Sequence, residues 1–334
     1  MDRQRKCLKF GSAVILGAVV LRLLGGGALD RVIRVLTAPE TVSMLVFLET
    51  GRVVRPTAPT VPEPTEETVS QTQAEALPPE TTEADREAVT LFSPEDAALV
   101  EVNNVCGLDA DVGSFLEQTL AWDLTENAPT VLIVHSHGTE CYADAPETGS
   151  FRSRDTAYNV VSVGDRLVQV LEAGGVHAVH DRTMHDSPSY NDSYVNSRES
   201  VEEYLAQYPT IQLVLDIHRD AVESSNGEQL GFTTTVNGRE TARLMMVVGS
   251  DAGGLTHPNW PENMSLAVKL HAQLEKLAPG SCRPISFRSQ RFNQDLSPGA
   301  LIVEVGAAGN TQAEALAAAE LLGQAILDLA KGSQ

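Results

Sequence analysis

Two histidines and a glutamate close the apolar run at 130–134, where the chain reads HSHGTE over 135–140. His137 and Glu140 stand in an H-x-x-E spacing at the point where a strand gives way to a loop or a helix start. That spacing lets an imidazole and a carboxylate turn toward one point. A hydrolytic zinc site takes three such ligands and keeps a fourth position for water. The remaining groups must come from the ends of other strands. Two further apolar runs end suitably, 213–218 in His218 and 301–304 in Glu304. The pattern predicts zinc held by His137, Glu140 and His218, and amide-hydrolysing chemistry.

Each of these residues has a rival or a plainer role. His135 lies two residues before His137, so on an extended strand both point to one face; it is an alternative ligand, or a group that supports the ligands from behind or lines the cleft. Asp155, just ahead of a helix, rivals Glu140 as the carboxylate ligand. Asp216 or Asp220 is placed to hold the distal nitrogen of His218. Arg219 either grips a substrate carboxylate or steadies an oxyanion; otherwise it pairs with Asp216 or Asp220. Glu304 sits between Val303 and Val305, where a charge is costly unless it is used or paired. Burial raises a carboxyl toward the range of a general base, and a structural salt bridge is the alternative. The polar stretch at 183–191, with His185, suits a cleft wall or a surface loop. Asn293 and Asp295 lead into the Glu304 strand and are candidate substrate contacts. His177, His180, His257 and His271 read as structural.

The elements that must carry these groups alternate. Strands are predicted at 131–134, 176–179, 211–217 and 301–305. Helices are predicted at 159–171, stopped by Gly174-Gly175, at 193–207, stopped by Tyr208-Pro209, and at 261–277. Ser93-Pro94 marks a helix start, and 107–120 has mixed helical character. Asn237-Gly238 predicts a hairpin joining 233–236 to 244–248. Thr311-Gln312-Ala313-Glu314 is a capping box opening a last helix to residue 329. Such alternation implies an α/β domain with a mostly parallel sheet covered on both faces. Sites in open sheets of this kind lie beyond the carboxyl ends of the strands.

Composition divides the chain of 334 residues. Residues 1–30 read as a cytosolic flank and a membrane anchor: Arg3, Arg5, Lys6 and Lys9 precede an apolar run at 10–29 that Arg22 interrupts. A cleaved signal peptide is the competing reading. The positive flank places the N-terminus inside and the body outside. Residues 31–55 form a juxtamembrane segment. Residues 56–90 hold eight acidic residues against Arg86 and almost no large apolar side chain, the make-up of a disordered tether. Residues 91–334 form the catalytic domain. The net charge of −21 argues against nucleic acid as a partner. Four cysteines are too few for a disulfide framework; Cys106 reads as a buried hydrophobe and Cys141 as a minor candidate for zinc.

The motifs HSHGTE (135–140), NVVSVGDRL (159–167), HDSPSYNDSYVNSR (185–198), LDIHRDA (215–221), HPNWPEN (257–263) and RFNQDLSPGALIVEVG (291–306), with Asn310-Thr311, closely resemble the stage II sporulation protein P family. The resemblance runs from about residue 130 to the C-terminus. It implies a zinc-dependent cell-wall hydrolase, amidase and endopeptidase, acting between mother cell and forespore during engulfment. It also implies a fold like that of the N-acetylmuramoyl-L-alanine amidases, and stage II sporulation proteins D and M as partners. The wider amidase group implies a strand-end His, a carboxylate, a second strand-end His and a catalytic Glu on a late strand. These fall on His137, on Glu140 or Asp155, on His218 and on Glu304. Two other readings stand beside it: a different zinc peptidase or deacylase, with Arg219 gripping a free carboxylate, and a tethered module that binds wall without cutting it.

Overall fold

The computed structural model describes residues 92–120, 122–146 and 151–332. The anchor, juxtamembrane segment and tether expected at 1–90 lie outside the described residues. Among the described residues no helix is long and apolar enough to cross a membrane.

The strands are β1 (Val102–Asn104), β2 (Val131–Val134), β3 (Ala178–His180), β4 (Leu213–Asp220), β5 (Thr233–Val236), β6 (Arg239–Ala242), β7 (Leu244–Val248), β8 (Ile285–Phe287) and β9 (Ala300–Ala307). The helices are α1 (Val112–Glu117), α2 (Val160–Ala173), α3 (Ser193–Gln207), α4 (Trp260–Leu277) and α5 (Gln312–Gly332). Seven strands form one sheet in the order β1-β8-β7-β9-β4-β2-β3. Within it only β7 and β9 pair antiparallel. The α/β class and the mostly parallel sheet therefore agree with the alternation read in the sequence.

Residue parity explains how the sheet is covered, since neighbours along a strand point to opposite faces. Val131, Ile133, Leu215, Ile217, Leu301, Val303 and Val305 enter the main core under α2, α4 and α5. Their alternates Leu132, Val134, Val214 and Ala300 meet Val201 and Tyr204 of α3. Each buried Val, Leu or Ile among them stabilises the fold by about 1.5–3 kcal/mol. Further along this second face a smaller cluster, Met245, Val247 and Ile302, is covered by Tyr194 and Phe292. Asp216, His218 and Glu304 share the parity of this second face. Because β2, β3, β4 and β9 are mutually parallel, their carboxyl ends reach one edge together.

Several elements differ from expectation, among them β3, which runs over Ala178–His180 rather than 176–179. β4 runs on to Asp220 and β9 to Ala307, so His218 and Glu304 lie inside strands, paired in register with each other. The Asn237-Gly238 turn closes a separate two-stranded sheet of β5 and β6, and the run at 244–248 joins the main sheet beside β9 instead. β1 and β8, three residues each, were too short to show a period. The capping box of α5 is formed, with Thr311 N donating to Glu314 Oε2 at 3.0 Å and Glu314 N to Thr311 Oγ1 at 3.3 Å.

Candidate functional site

The HSHGTE turn is clamped from two sides. Asp216 of β4 accepts from Ser136 N at 2.8 Å and from Ser136 Oγ at 2.6 Å. Asp186 accepts from Thr139 N at 3.2 Å and from Thr139 Oγ1, and also from Arg152 Nη1 at 2.7 Å. Between the clamps Gly138 passes so close to the 183–184 backbone that a Cβ would sit 3.0 Å from Met184 Cα. Glu140 then bridges to Arg152 and Cys141 to Asn159, which folds the chain back into α2.

These restraints bring His137, Glu140 and His218 together, all buried. His218 Nδ1 faces Glu140 Oε2 at 3.4 Å. Its Nε2 lies 2.9 Å from Asp216 Oδ1, near enough for an ion pair but out of line for a hydrogen bond. The rings of His137 and His218 meet edge to face, with centroids 5.2 Å apart. Glu304 stands beside His218 across the β4–β9 ladder, and its Oε2 is buried without a partner.

The electrostatics follow from this crowding. Burial works to raise the Glu140 carboxyl, but His218, Arg219 and His137 override it and hold the group well below the usual carboxylate range. Asp216 is likewise held down to about 2 against burial, by His218 and by Ser136. His218 moves the opposite way: burial disfavours its charge, yet the two flanking carboxylates raise it well above the ordinary imidazole value. Burial pushes Glu304 upward, with His218 opposing and Glu140 adding to the rise. Two carboxyls of one type thus sit in opposite environments, the arrangement that separates a charged ligand from a proton carrier.

The other predicted residues stand elsewhere. Asp155 is exposed, and its Oδ1 accepts from Ala157 N at 3.0 Å in a turn. His135 has both ring nitrogens engaged, Nδ1 with Ile217 O at 2.9 Å and Nε2 with His180 Nε2 at 2.7 Å. Arg219 is buried behind Glu140. It donates to Cys141 O at 3.0 Å, to Phe151 O at 2.6 Å and, through its backbone N–H, to Glu140 Oε2 at 3.2 Å. Its partners are therefore neither Asp216 nor Asp220; the latter pairs with Arg283 at 2.7 Å. His185 is buried against Asp181 at 2.8 Å, so it is neither exposed on a loop nor facing the cluster. Asn293 ties Tyr194 O and Asp295 grips Arg198 at 2.9 and 3.0 Å.

Sequence reasoning passed over the aromatic surround. Tyr190 stacks on His137 at 4.4 Å and 12°, and the Arg152 guanidinium lies 4.5 Å from the same ring. Tyr194 stands edge-on to His137 at 5.4 Å and parallel to His218 at 6.5 Å. The available signal was the tyrosine pair at 190 and 194, four residues apart, the first just ahead of α3 and the second in its first turn. A second trio was passed over too. His271, Glu275 and Cys282 have ligand atoms within 4.8 Å of one another, at the far end of α4. There, however, both Glu275 oxygens already accept backbone N–H groups, from Gly280 and Cys282, each at 2.7 Å.

The fit of a divalent cation can be judged from the donors. His137 Nδ1, His218 Nε2 and Glu304 Oε2 are buried and without hydrogen-bond partners. Native structures rarely leave such atoms over, and an ion is one explanation when they cluster. Two imidazoles and a carboxylate are a borderline-soft donor set that suits zinc. The residue types present fit the ion, although the donor atoms of His137, Glu140 and His218 are not drawn within 4.8 Å of one another as those of His271, Glu275 and Cys282 are.

Fold and cluster together define an α/β protein with a histidine–carboxylate site on the carboxyl edge of its parallel strands. Residues 47–327 match the family described as Stage II sporulation protein P (SpoIIP), and the chain belongs to it. Stage II sporulation protein P of Bacillus subtilis (strain 168) is 32% identical over 224 residues, 62% of this chain and 53% of that protein. The chain thus spans about half the length of that curated relative. Among solved structures it is similar to the CwlD amidase from Clostridioides difficile in complex with the GerS lipoprotein, at 10% identity and TM-score 0.40, covering 60% of this chain and 98% of that one. It is also similar to the amidase Ami1 from Mycobacterium smegmatis, at 15% identity and TM-score 0.38, covering 63% and 99%. AmiC2 of Nostoc punctiforme is 15% identical with TM-score 0.36, covering 61% and 97%.

Proposed function

We propose that this chain is a peptidoglycan hydrolase that cuts the amide between N-acetylmuramic acid and the stem peptide, and also stem-peptide cross-links, during sporulation engulfment. Membership of the stage II sporulation protein P family supports the setting. The gathering of His137, Glu140 and His218, with the half-buried Glu304 beside His218 on the next strand, carries the chemistry. In the same reading residues 1–30 anchor the chain with its domain outside the cytoplasm, and stage II sporulation proteins D and M are partners.

His137, Glu140 and His218 would hold zinc, which when bound supplies Lewis-acid polarisation of the amide carbonyl and a lowered pKa for water. Asp216 fixes Ser136 at the start of the turn, and Asp186 fixes Thr139 within it, so the two clamps position His137 and Glu140. Glu304 takes a proton from the attacking water. The C–O bond forms, the C–N bond breaks, and Glu304 returns that proton to the departing amine nitrogen. Arg219 fixes the position of Glu140.

The test is the metal content of the full chain together with the products it releases from purified peptidoglycan. One zinc per chain and new free amino groups are expected. Neither zinc nor products from the wild type would leave a tethered wall-binding module. A strict need for a free C-terminal carboxylate on the substrate would point to a carboxypeptidase.

A further inference from the structure

Two cavities that share no residue adjoin the cluster, and their linings differ. The first, about 370 Å³, is reached past Thr139 and Arg152 and is walled by Arg152, Arg154, Asp155 and Asp186. Its charges balance, two cationic against two anionic. The second, about 430 Å³, opens beside Tyr194 and is lined by Leu255, Ser289, Gln290, Arg291 and Phe292. No carboxylate lines it, and its one cation is held by Asp295, 3.3 Å from Arg291 Nε. Leu255 is 55% exposed there. Phe292 is held at φ 54°, a region that bulky side chains rarely enter. Gly249 lets the wall of this cavity close in, because a Cβ would meet Gln290 O at 2.4 Å. Strain of this kind persists only where its surroundings over-determine it, and it gathers at ligand clamps.

We propose that the cleft has a fixed polarity: the Tyr194–Phe292 cavity takes the sugar side of the scissile amide, and the Arg152–Asp186 cavity takes the peptide side. This rests on the hydrolase reading above. In that amide the carbonyl belongs to the sugar's lactyl arm, whose carboxyl is consumed in the bond. The sugar side therefore presents hydroxyls, an acetamido group and an apolar ring face, without ionised groups. An aromatic cavity with a few amide and hydroxyl partners suits it. The stem peptide carries carboxylates and, where it holds a diamino acid, a free amine. Such a zwitterion is expensive to desolvate without opposite charges, and the exposed Arg154 and Asp155 provide one of each sign, Asp186 and Arg152 being already paired with each other at 2.7 Å. Each cavity touches the cluster through a different residue, Arg152 with Nη2 3.8 Å from Glu140 and Tyr194 against both histidines.

The experiment measures binding of two probes to the full chain carrying Glu304→Gln. One is a peptide-free tetrasaccharide of alternating N-acetylglucosamine and N-acetylmuramic acid with its lactyl carboxyls amidated. The other is the free stem peptide. Adding Leu255→Glu or Gln290→Ala is expected to weaken the saccharide about tenfold and leave the peptide unchanged, and Arg154→Glu to do the reverse. The opposite crossing, or no change of either probe in any variant, overturns the polarity. Product release by the wild type is measured alongside. Products without the crossing sink the polarity alone, whereas a crossing without products sinks the hydrolase reading.

Discussion

Replacing Glu140 by glutamine removes one charge and almost no volume, so it isolates what the carboxylate does. Glu140 is 5% exposed. Its oxygens face His218 Nδ1 at 3.4 Å, Arg219 Nη1 at 3.7 Å and Arg152 Nη2 at 3.8 Å. Burial alone would raise its pKa, but His218, Arg219 and His137 lower it from 4.5 to about 2. A depressed carboxyl contributes stability above the unfolded pKa and loses it as pH falls through the folded one. At 1.36 kcal/mol per unit the contribution at neutral pH is about 3 kcal/mol. That agrees with the roughly 3–5 kcal/mol lost when one partner of a buried pair is removed. For a domain of this size it lowers Tm by about 6–12 °C. The assay is thermal unfolding of the full chain with chelator, at pH 7 and pH 3, with zinc content measured separately. Glu140→Gln is expected to lower Tm by that amount at pH 7, by only about half as much at pH 3, and to lose bound zinc. Asp155→Asn keeps its turn acceptor and is expected to stay within about 0.5 kcal/mol of wild type with its metal retained. Metal lost from Asp155→Asn and kept by Glu140→Gln would refute the reasoning and move the carboxylate ligand to Asp155.

The other predictions concern the base, the guanidinium behind it and a distant histidine. Glu304→Gln is expected to keep zinc and fold normally while amide cleavage falls by about 10²–10⁴-fold; full activity would remove Glu304 from the mechanism. Arg219→Lys cannot reach Glu140, Cys141 O and Phe151 O together, so zinc content and Tm are expected to fall with kcat; a rise in KM alone would return Arg219 to the substrate. His271 is lowered to about 4 chiefly by burial, with Glu275 opposing and Arg243 adding to the fall. It is neutral in the fold, so the unfolded chain takes the proton first and stability drops by about 3 kcal/mol between pH 6.5 and 4. Denaturant unfolding of wild type and His271→Leu across that range should show a shallower slope in the variant, and parallel curves would be the contrary result.

Much of this was legible because long buried strands print themselves as apolar runs. β2, β4 and β9 stood out, and so did the polar residues that interrupt them, since Glu304 between two valines contradicts its surroundings. The cap of α5 was legible for the same local reason, since Thr311 and Glu314 make their bonds within three residues, whereas Asn159, read as the first residue of a helix, is the N-cap of α2. What lay beyond reach was long-range. That Asp186 would clamp Thr139 from 47 residues away, or that Arg219 would turn toward Cys141 and Phe151, has no trace in spacing. His135 was ambiguous because extended geometry gives it the face of His137. Only β3 and α2, arriving with His180 and Asp165, decide that its ring turns aside. The hairpin was misdrawn because Arg239–Ala242 has no alternation of its own, and a stronger apolar run followed directly.

The groups that break the local rules gather in one place. A valine at 304 would suit a central strand better than a carboxylate whose Oε2 lies buried without a partner. Two apolar residues would fill the positions of His137 and His218 without leaving ring nitrogens over. The clamps add to the cost, because Asp216, Ser136, Asp186 and Thr139 are all buried polar groups that a core of this size does not need. Their bonds have a common effect, which is to fix the orientation of two imidazoles and one carboxylate. Stability alone gives no reason to hold those three side chains still, since a well-packed hydrophobic edge would be as firm. Holding them still makes sense if the ligand geometry is worth more than the burial it costs, as in a site where the groups that touch the ion must not drift. On that argument, relaxing a clamp while sparing the donors should be nearly as damaging as removing a donor. Asp186→Asn keeps its volume but loses the charge that holds Arg152 and the Thr139 hydroxyl. It is expected to lower zinc affinity about 10–100-fold, the usual cost of disturbing an outer-shell partner. An affinity equal to wild type, measured by competition with a chromogenic chelator, would mean that the turn orients itself and that its clamps serve the fold alone.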